Sequence, residues 1–258
     1  MTPPLGDRRI LIPRGGDWGA SVERLCSERG AVGAVVPIIE TKPPRDTHAL
    51  ESFLAALREG RYTWLFVTSA ASVEVLRAHG VVIPPSTSIA TVGPTTARSL
   101  ELAGYRVAFV PTGASSARAL VDQWKRATPR SPAANVLVMR SDLAAATISD
   151  SLEAAGHLVG VCISYRTVGV DIAQGALNDL AAGRFDAVLV TSHSVAIELG
   201  TQLKDTPAPT VFAFLGHGTA REATKLGLVP GVTAAEQTIE SLLDAVAEYF
   251  EGNGMEQP

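Results

Sequence analysis

The chain has 258 residues, of which 46% are hydrophobic and 19% charged, a balance typical of a folded globular protein and not of a disordered one. The formal net charge of −4 argues against a broad basic surface for nucleic acid or anionic membrane, so an anionic ligand would need locally placed donors. We expect a cytoplasmic protein, because the N-terminus lacks an apolar signal core and no apolar run approaches the roughly 18 residues of a membrane span.

Short β-branched runs alternate with amphipathic stretches along the whole chain. A helical period lies at 47–58, where Leu50, Phe53, Leu54 and Leu57 would share one buried face. The predicted strands are, in chain order, ILIP (10–13), AVGAVVPII (31–39), WLFV (64–67), IATV (89–92), VAFV (107–110), VLVM (136–139), LVGVCI (158–163), AVLV (187–190) and VFAFL (211–215). Continuous apolar strands separated by helices are typical of parallel sheets covered on both faces, so we predict an α/β fold.

The second half of the chain repeats the first. The phrase FVTSAASVEVL (66–76) returns as LVTSHSVAIEL (189–199), with its Val-Thr-Ser 123 positions further on. The same offset relates Ala90, Gly93, Thr96, Ala97, Arg98 and Gly104 to Ala213, Gly216, Thr219, Ala220, Arg221 and Gly227, and an offset of 126 relates Leu11, Arg14, Ala20 and Gly30 to Leu137, Arg140, Ala146 and Gly156. A period this long carries a whole domain, so we predict a fold that has been duplicated once.

Two stretches have the composition of joints between domains. PIIETKPP (37–44) and ISYRTVGVD (163–171) follow the second predicted strand of each half. Paired crossings between two lobes would explain why they occupy equivalent places.

Hydroxyl side chains follow the strand ends in both halves, at Thr68 and Ser69 and again at Thr191 and Ser192. Ligands of open parallel sheets bind outside the carboxyl ends of the strands, where the first helical amides are unpaired and the helix dipole favours an anion by roughly 0.3–1 kcal/mol. The other candidates are Thr96, Ser115, Ser116, Thr219 and Thr238 at predicted helix starts, with Arg14, Arg140 and Ser141 at the end of the first strand of each half. The set predicts a cleft for a ligand with many carboxylates or phosphates.

Each of these residues also has a purely structural interpretation. A hydroxyl at a helix start is equally consistent with a simple cap, and either arginine with a surface ion pair. Thr219 with Glu222 fits the T-x-x-E pattern of a capping box.

No metal site or nucleophile motif is evident. The histidines at 48, 79, 157, 193 and 217 form no HxxxH or Cys/His cluster, and Cys26 and Cys162 lie far apart in apolar runs, so we predict reduced core thiols. There is no G-x-S-x-G elbow and no P-loop. The phrase RGGDWG with Glu40 beyond it resembles a degraded dinucleotide fingerprint, but Arg14 stands in the position of the first glycine.

Taken together, these phrases resemble the uroporphyrinogen-III synthase family. The matching pieces are, in the family's order, ILIPRGG, WLFVTSAASVEVL, IATVGPTTARSLELAGYRVAFVP, VLVMRSD, ISYRTV, AVLVTSHSV and GHGTAREATKLGL. The resemblance implies two flavodoxin-like parallel-sheet lobes, related by internal duplication and joined by a two-stranded linker. Lobe one would comprise 1–37 and 169–258, lobe two 42–165, and the interlobe linkers 37–43 and 163–170.

The resemblance also implies an activity. Enzymes of this family take linear hydroxymethylbilane, which bears eight carboxylates, lose its terminal hydroxyl as water, and close the macrocycle while inverting ring D. The chemistry needs no cofactor and no metal, and the protein's task is to position the reacting ends. A monomer with a small-molecule polycarboxylate substrate is expected.

The resemblance also implies roles for individual positions. Tyr165 in ISYRTV matches the tyrosine that assists departure of the hydroxyl, since a phenol can donate a proton or a hydrogen bond. Thr96 and Thr219 match threonines at helix starts, and Ser69 and Ser192 match the Thr-Ser turns, as carboxylate contacts. The chain departs from the family at two positions, with His217 in place of the usual Pro and Ala71 where Asn is frequent. The alternative hypotheses are a non-catalytic two-lobed sensor of an anionic metabolite and a dinucleotide enzyme.

Overall fold

The computed structural model describes residues 5–113, 115–128, 133–204 and 208–253. The chain divides into two compact units: unit 1 comprises Met1–Glu40 and Val168–Pro258, and unit 2 comprises Thr41–Thr167. No helix in the described ranges combines the length and the apolar character that crossing a bilayer requires.

Strands and helices alternate through most of the chain. In chain order the elements are β1 (Arg9–Ile12), α1 (Gly16–Glu28), β2 (Val32–Val35), β3 (Ile39–Lys42), α2 (Thr47–Arg58), β4 (Trp64–Val67), α3 (Ala70–Ala78), β5 (Ser88–Thr91), α4 (Pro94–Leu102), β6 (Val107–Phe109), α5 (Ala117–Ala127), β7 (Asn135–Ser141), α6 (Thr147–Glu153), β8 (Leu158–Gly169), α7 (Gln174–Ala181), β9 (Ala187–Val190), α8 (His193–Gln202), β10 (Val211–Phe214), α9 (His217–Lys225), β11 (Pro230–Thr233) and α10 (Ile239–Asn253).

Unit 1 is built on a parallel sheet in the order β2-β1-β9-β10-β11. Numbered along this unit, the order is 2-1-3-4-5, which is the flavodoxin-like arrangement. Successive residues of β1 point to opposite faces: Leu11 belongs to one buried cluster, whereas Ile10 and Ile12 belong to the other. Both faces are therefore covered, as expected for a strand that is apolar throughout.

Unit 2 contains the corresponding sheet, in the order β8-β7-β4-β5-β6, with all neighbours in this set parallel. Strand β3 lies at the edge beside β8. Each of these two strands contains a point at which the chain passes from one unit to the other. On the central strand β4, Leu65 and Val67 pack on one face and Phe66 on the other.

Strand register confirms the internal duplication and the predicted fold class. In unit 1, Ile10 of β1 lies opposite Ala187 of β9, and in unit 2 Val136 of β7 lies opposite Trp64 of β4. These pairs are related by the two offsets found in the sequence. The same holds for β1 with β2 against β7 with β8, and for β9 with β10 against β4 with β5.

The predicted strand over 31–39 is wrong in its extent. It is interrupted after Val35, and a separate strand begins at Ile39. Pro37 lies in the gap, and because proline has no N–H to donate, it interrupts a ladder that the apolar pattern alone would continue. In the second half the equivalent run has no proline, and β8 continues to Gly169.

Replacing Leu54 with Ala should lower the free energy of unfolding by about 2–5 kcal/mol, because a fully buried leucine leaves a cavity. Leu102→Ala is the matched control, since this leucine also lies on a helix of unit 2 but is 80% exposed, and we expect a change within about 0.5 kcal/mol. Denaturant unfolding measures both. Equal losses for the two variants would contradict the burial of Leu54 in the core of unit 2.

The two thiols give a pH prediction for both units. Burial raises the pKa of Cys26 to about 11 and that of Cys162 to about 12, from an ordinary 9.0. Above pH 9 the unfolded thiols ionise while the folded ones keep their protons, so the free energy of unfolding should fall as the pH rises. Urea unfolding at pH 8 and pH 10 measures the fall, which should be smaller in a Cys26→Ala, Cys162→Ala double variant. An identical pH dependence in both proteins would show that the thiols do not contribute.

Candidate functional site

A cavity of about 320 Å³ lies in unit 2 at the carboxyl ends of β4 and β7. These strands are neighbours at the centre of the sheet, where the strand order changes direction, which is where doubly wound folds bind ligands. Seven of the predicted site residues line this cavity: Thr68, Ser69, Ser115, Ser116, Arg140, Ser141 and Tyr165.

Three helices begin at the cavity. Ser69 caps α3 and Ser116 caps α5 through hydrogen bonds from the amides of Ser72 and Ala119, and Thr147 is the first residue of α6. The unpaired amides and positive dipole ends of helices favour anions. Converging helix starts therefore give this cavity a preference for negative groups.

Tyr165 reaches the cavity from β8. Its phenol oxygen lies 3.0 Å from Oγ of Ser69, which comes 96 positions earlier in the chain, and its ring is half-buried. Ser69 follows β4, and Tyr165 lies on β8, which is two strands away from β4 in the sheet. The turn between β4 and α3 therefore both contacts the tyrosine and presents the first amides of α3.

Behind this contact lies a line of hydroxyls, which we call the hydroxyl chain: Tyr165, Ser69, Ser72 and Ser164. Oγ of Ser69 lies 3.2 Å from Oγ of Ser72, which lies 2.9 Å from Oγ of Ser164. Ser164 then donates to the carbonyl oxygen of Arg140 at 3.2 Å. Ser72 and Ser164 are fully buried, so the chain runs from the cavity into the core.

Arg140 contributes a cation to the cavity wall. Its Nη1 donates to the carbonyl of Ala144 and, at 3.5 Å, to that of Ser141, whereas its Nε is buried with no hydrogen-bond partner in the described part of the chain. A charge-assisted bond to a ligand carboxylate would contribute about 1.5–3 kcal/mol. The Thr68 hydroxyl also donates to the backbone, to the carbonyl of Met139 at 3.1 Å.

Ser115 lies close to Gly93, the N-cap of α4. A Cβ at Gly93 would lie 2.5 Å from Oγ of Ser115, so only glycine allows this approach. Thr96 lies in the first turn of the same helix, but it is 7% exposed and is not among the residues that line the cavity.

The remaining predicted residues lie in unit 1, at equivalent positions. Ser192 caps α8 by accepting from the amide of Val195, and Thr191 precedes it, half-buried. The Arg14 guanidinium lies 5.0 Å from the centre of the Trp18 ring.

Thr219 lies in the first turn of α9 and is also half-buried, but the capping box predicted for it is wrong. The N-cap of this helix is Gly216, three residues earlier. Glu222 instead accepts a hydrogen bond from Lys225, which lowers the pKa of its carboxyl.

Sequence reasoning missed Ser72 and Ser164 of the hydroxyl chain and, on the cavity wall, Thr147 and Ser149. Ser164 directly precedes Tyr165 in a strand, so alternation would have placed it on the opposite, buried face, where a hydroxyl needs a partner. Within the described ranges no group of three or more His, Cys, Asp and Glu side chains is arranged to hold a metal ion.

Comparison with known proteins assigns the chain to a family. The family model described as uroporphyrinogen-III synthase HemD matches residues 20–244. The porphyrin biosynthesis protein HemD of Ruminiclostridium josui is 24% identical over 261 residues, an alignment that covers 98% of this chain and 51% of that protein. The chain thus spans about half the length of this curated relative.

Two solved structures share the fold. The uroporphyrinogen III synthase of Thermus thermophilus, in a mutant form, superposes with a TM-score of 0.62 at 16% identity and covers 96% of this chain and 100% of its own. The uroporphyrinogen-III synthetase of Helicobacter pylori gives 0.59 at 14% identity, covering 92% and 97%. Since the family model extends over most of the sequence, the chain belongs to the uroporphyrinogen-III synthase family.

Proposed function

We propose that the chain is a uroporphyrinogen-III synthase, a lyase that cyclises hydroxymethylbilane with inversion of ring D and loss of water. The observation that carries this proposal is the unit 2 cavity, where helix starts, hydroxyls and Arg140 converge at the switch point of the sheet. The cavity thus offers many hydrogen-bond donors to the carboxylates of the substrate, although the net charge of the protein is −4.

The reaction depends more on how the two ends of the substrate are positioned than on reactive side chains. The electron-rich terminal pyrrole expels the hydroxyl group, which leaves as water after gaining a proton, and an azafulvene cation remains. A carbon of ring D attacks this cation to give a spiro intermediate, and rearrangement with loss of a proton yields the macrocycle. Holding the two ends in the productive arrangement is what selects this path, because an uncontrolled ring closure occurs without inversion.

The cavity accepts part of the substrate. Its volume is at the lower end of the range for small-molecule sites, roughly 300–1,000 Å³, and the substrate is a tetrapyrrole with eight carboxylates. We therefore assign the reacting end to the cavity beside Tyr165. Thr96 in unit 2 and Arg14, Thr191, Ser192 and Thr219 in unit 1 keep, as proposals, the carboxylate-binding role that the sequence predicts for them.

The proposal also covers the cellular compartment and the oligomeric state. The two cysteines are free and buried, which fits a reducing cytoplasm. We propose that the enzyme acts there as a monomer and without a cofactor, which light scattering and an assay of dialysed protein would test.

Tyr165→Phe should lower the rate of enzyme-dependent type III formation by about 10–100-fold, which corresponds to losing one hydrogen bond of about 1.5–3 kcal/mol to a charged transition state. Tyr105→Phe is the matched control, because this tyrosine also lies in unit 2 and its hydroxyl donates to the carbonyl of Val81 at 2.8 Å, but it does not line the cavity. The products are oxidised and the isomers separated chromatographically.

Two outcomes would contradict the proposed function. If the wild-type chain gave only the uninverted type I macrocycle, as buffer alone does, the chain would not be a synthase. If it bound hydroxymethylbilane tightly and left it linear, the sensor hypothesis would replace the enzyme.

A further inference from the structure

Ser72 and Ser164 are buried hydroxyls for which the proposed function has so far given no role. Unit 1 shows that the fold does not require them. By the offsets of 123 and 126, their counterparts are Val195 and Ile38, which are fully buried in one apolar cluster. At the position of Tyr165 the same offset gives Ile39.

The serine pair and the tyrosine therefore occur together in unit 2, and apolar residues replace all of them in unit 1. Burying a hydroxyl is unfavourable unless it is hydrogen-bonded, and unit 1 packs the same positions with side chains that avoid this cost. Packing alone therefore does not account for Ser72 and Ser164, whose hydroxyls are connected to Tyr165 through Ser69.

Counting hydrogens fixes the direction of the hydroxyl chain. A hydroxyl donates one hydrogen bond and accepts up to two, whereas a carbonyl oxygen only accepts. Ser164 must therefore donate to the carbonyl of Arg140, so the hydrogen in its contact with Ser72 comes from Ser72. By the same step Ser69 donates to Ser72, and Tyr165 donates to Ser69.

The opposite direction leaves a contact without a hydrogen. If Ser69 donated to Tyr165, Ser72 would have one hydrogen to share between Ser69 and Ser164, at 3.2 and 2.9 Å. One of those pairs would then be two oxygens in contact with no hydrogen between them. In the first arrangement every contact is satisfied, and Ser69 uses its remaining acceptor site for the amide of Ser72.

We propose that Ser72 and Ser164 are positioning residues, which turn the hydroxyl hydrogen of Tyr165 towards Ser69 and leave the phenol oxygen to accept a hydrogen bond from the substrate. This rests on the proposed function. The donor that fits is the pyrrole N–H of the reacting ring. As that ring becomes positive, its N–H becomes a stronger donor, so the bond to Tyr165 strengthens towards the transition state without transfer of a proton.

A chemical replacement of Tyr165 separates an acceptor from a donor. With p-aminophenylalanine at this position, one N–H can bond to Ser69 and another can face the substrate, but the nitrogen is a poor acceptor. We expect kcat to fall to about the level of Tyr165→Phe. If this variant kept the wild-type kcat, Tyr165 would be a donor and the inference would be overturned.

A double-mutant cycle tests whether the serines act through Tyr165. The two single variants are Ser164→Ala and Ser72→Val, the latter introducing the residue that unit 1 has at the equivalent position. Each should lower kcat about tenfold and leave KM within about twofold of the wild-type value. Either change should cost less than about twofold when added to Tyr165→Phe. The control is Thr87→Val, which removes another buried hydroxyl of unit 2 that donates to a carbonyl, that of Tyr62 at 2.6 Å. It should leave kcat within about twofold in both backgrounds.

These measurements distinguish a failure of the proposed function from a failure of the positioning role. A wild-type chain that makes no type III isomer rejects the proposed function, and this inference with it. With an active wild type, equal losses from Ser164→Ala in the wild-type chain and in the Tyr165→Phe variant, or an equal loss from Thr87→Val, reject the positioning role alone.

Discussion

The pairing of β4 with β7 is the constraint on which the candidate site depends. Val67 lies opposite Met139, and Thr68 continues the ladder by donating its amide hydrogen to Met139. The residues that follow, Ser69 just beyond β4 and Arg140 on β7, are therefore brought to the same edge. A slip of one residue would move Phe66 to the face of Leu65 and Val67 and those two to the face of Phe66, so the close packing of side chains of different size on the two faces holds the register.

The duplication separates what the fold needs from what the chemistry needs. Both units keep the strand order, the register and the serine caps of α3 and α8. They differ behind the cap, where unit 2 has Ser72 and Ser164 and unit 1 has Val195 and Ile38. The frame tolerates either set, which agrees with the general rule that function is determined by side chains placed on a fold and not by the fold itself.

The sequence predicted the sheets well and the hydroxyl chain poorly, for a physical reason. Strand and helix periods are local, and the duplicated turns carry their glycines and hydroxyls in one short phrase. The contact between Ser69 and Tyr165 joins residues 96 positions apart, and it arises only because β8 lies beside β7 and β7 beside β4. The capping box at Thr219 failed for a related reason, since Gly216 had already begun the helix and Glu222 had a closer partner.

The proposed reaction sets two electrostatic demands that oppose each other. The substrate is a polyanion, yet a cation develops at its reacting end, so a dense group of lysines or arginines would bind the first and repel the second. Hydroxyls and backbone amides avoid this conflict, because they carry no net charge and a hydroxyl can donate to a carboxylate or accept from a cation. Arg140 adds one positive charge to the described cavity wall, and its Nη1 donates to the carbonyls of Ala144 and Ser141. A cavity lined mainly by uncharged hydroxyls and amides, with a single arginine among its described lining residues, is thus what this chemistry favours.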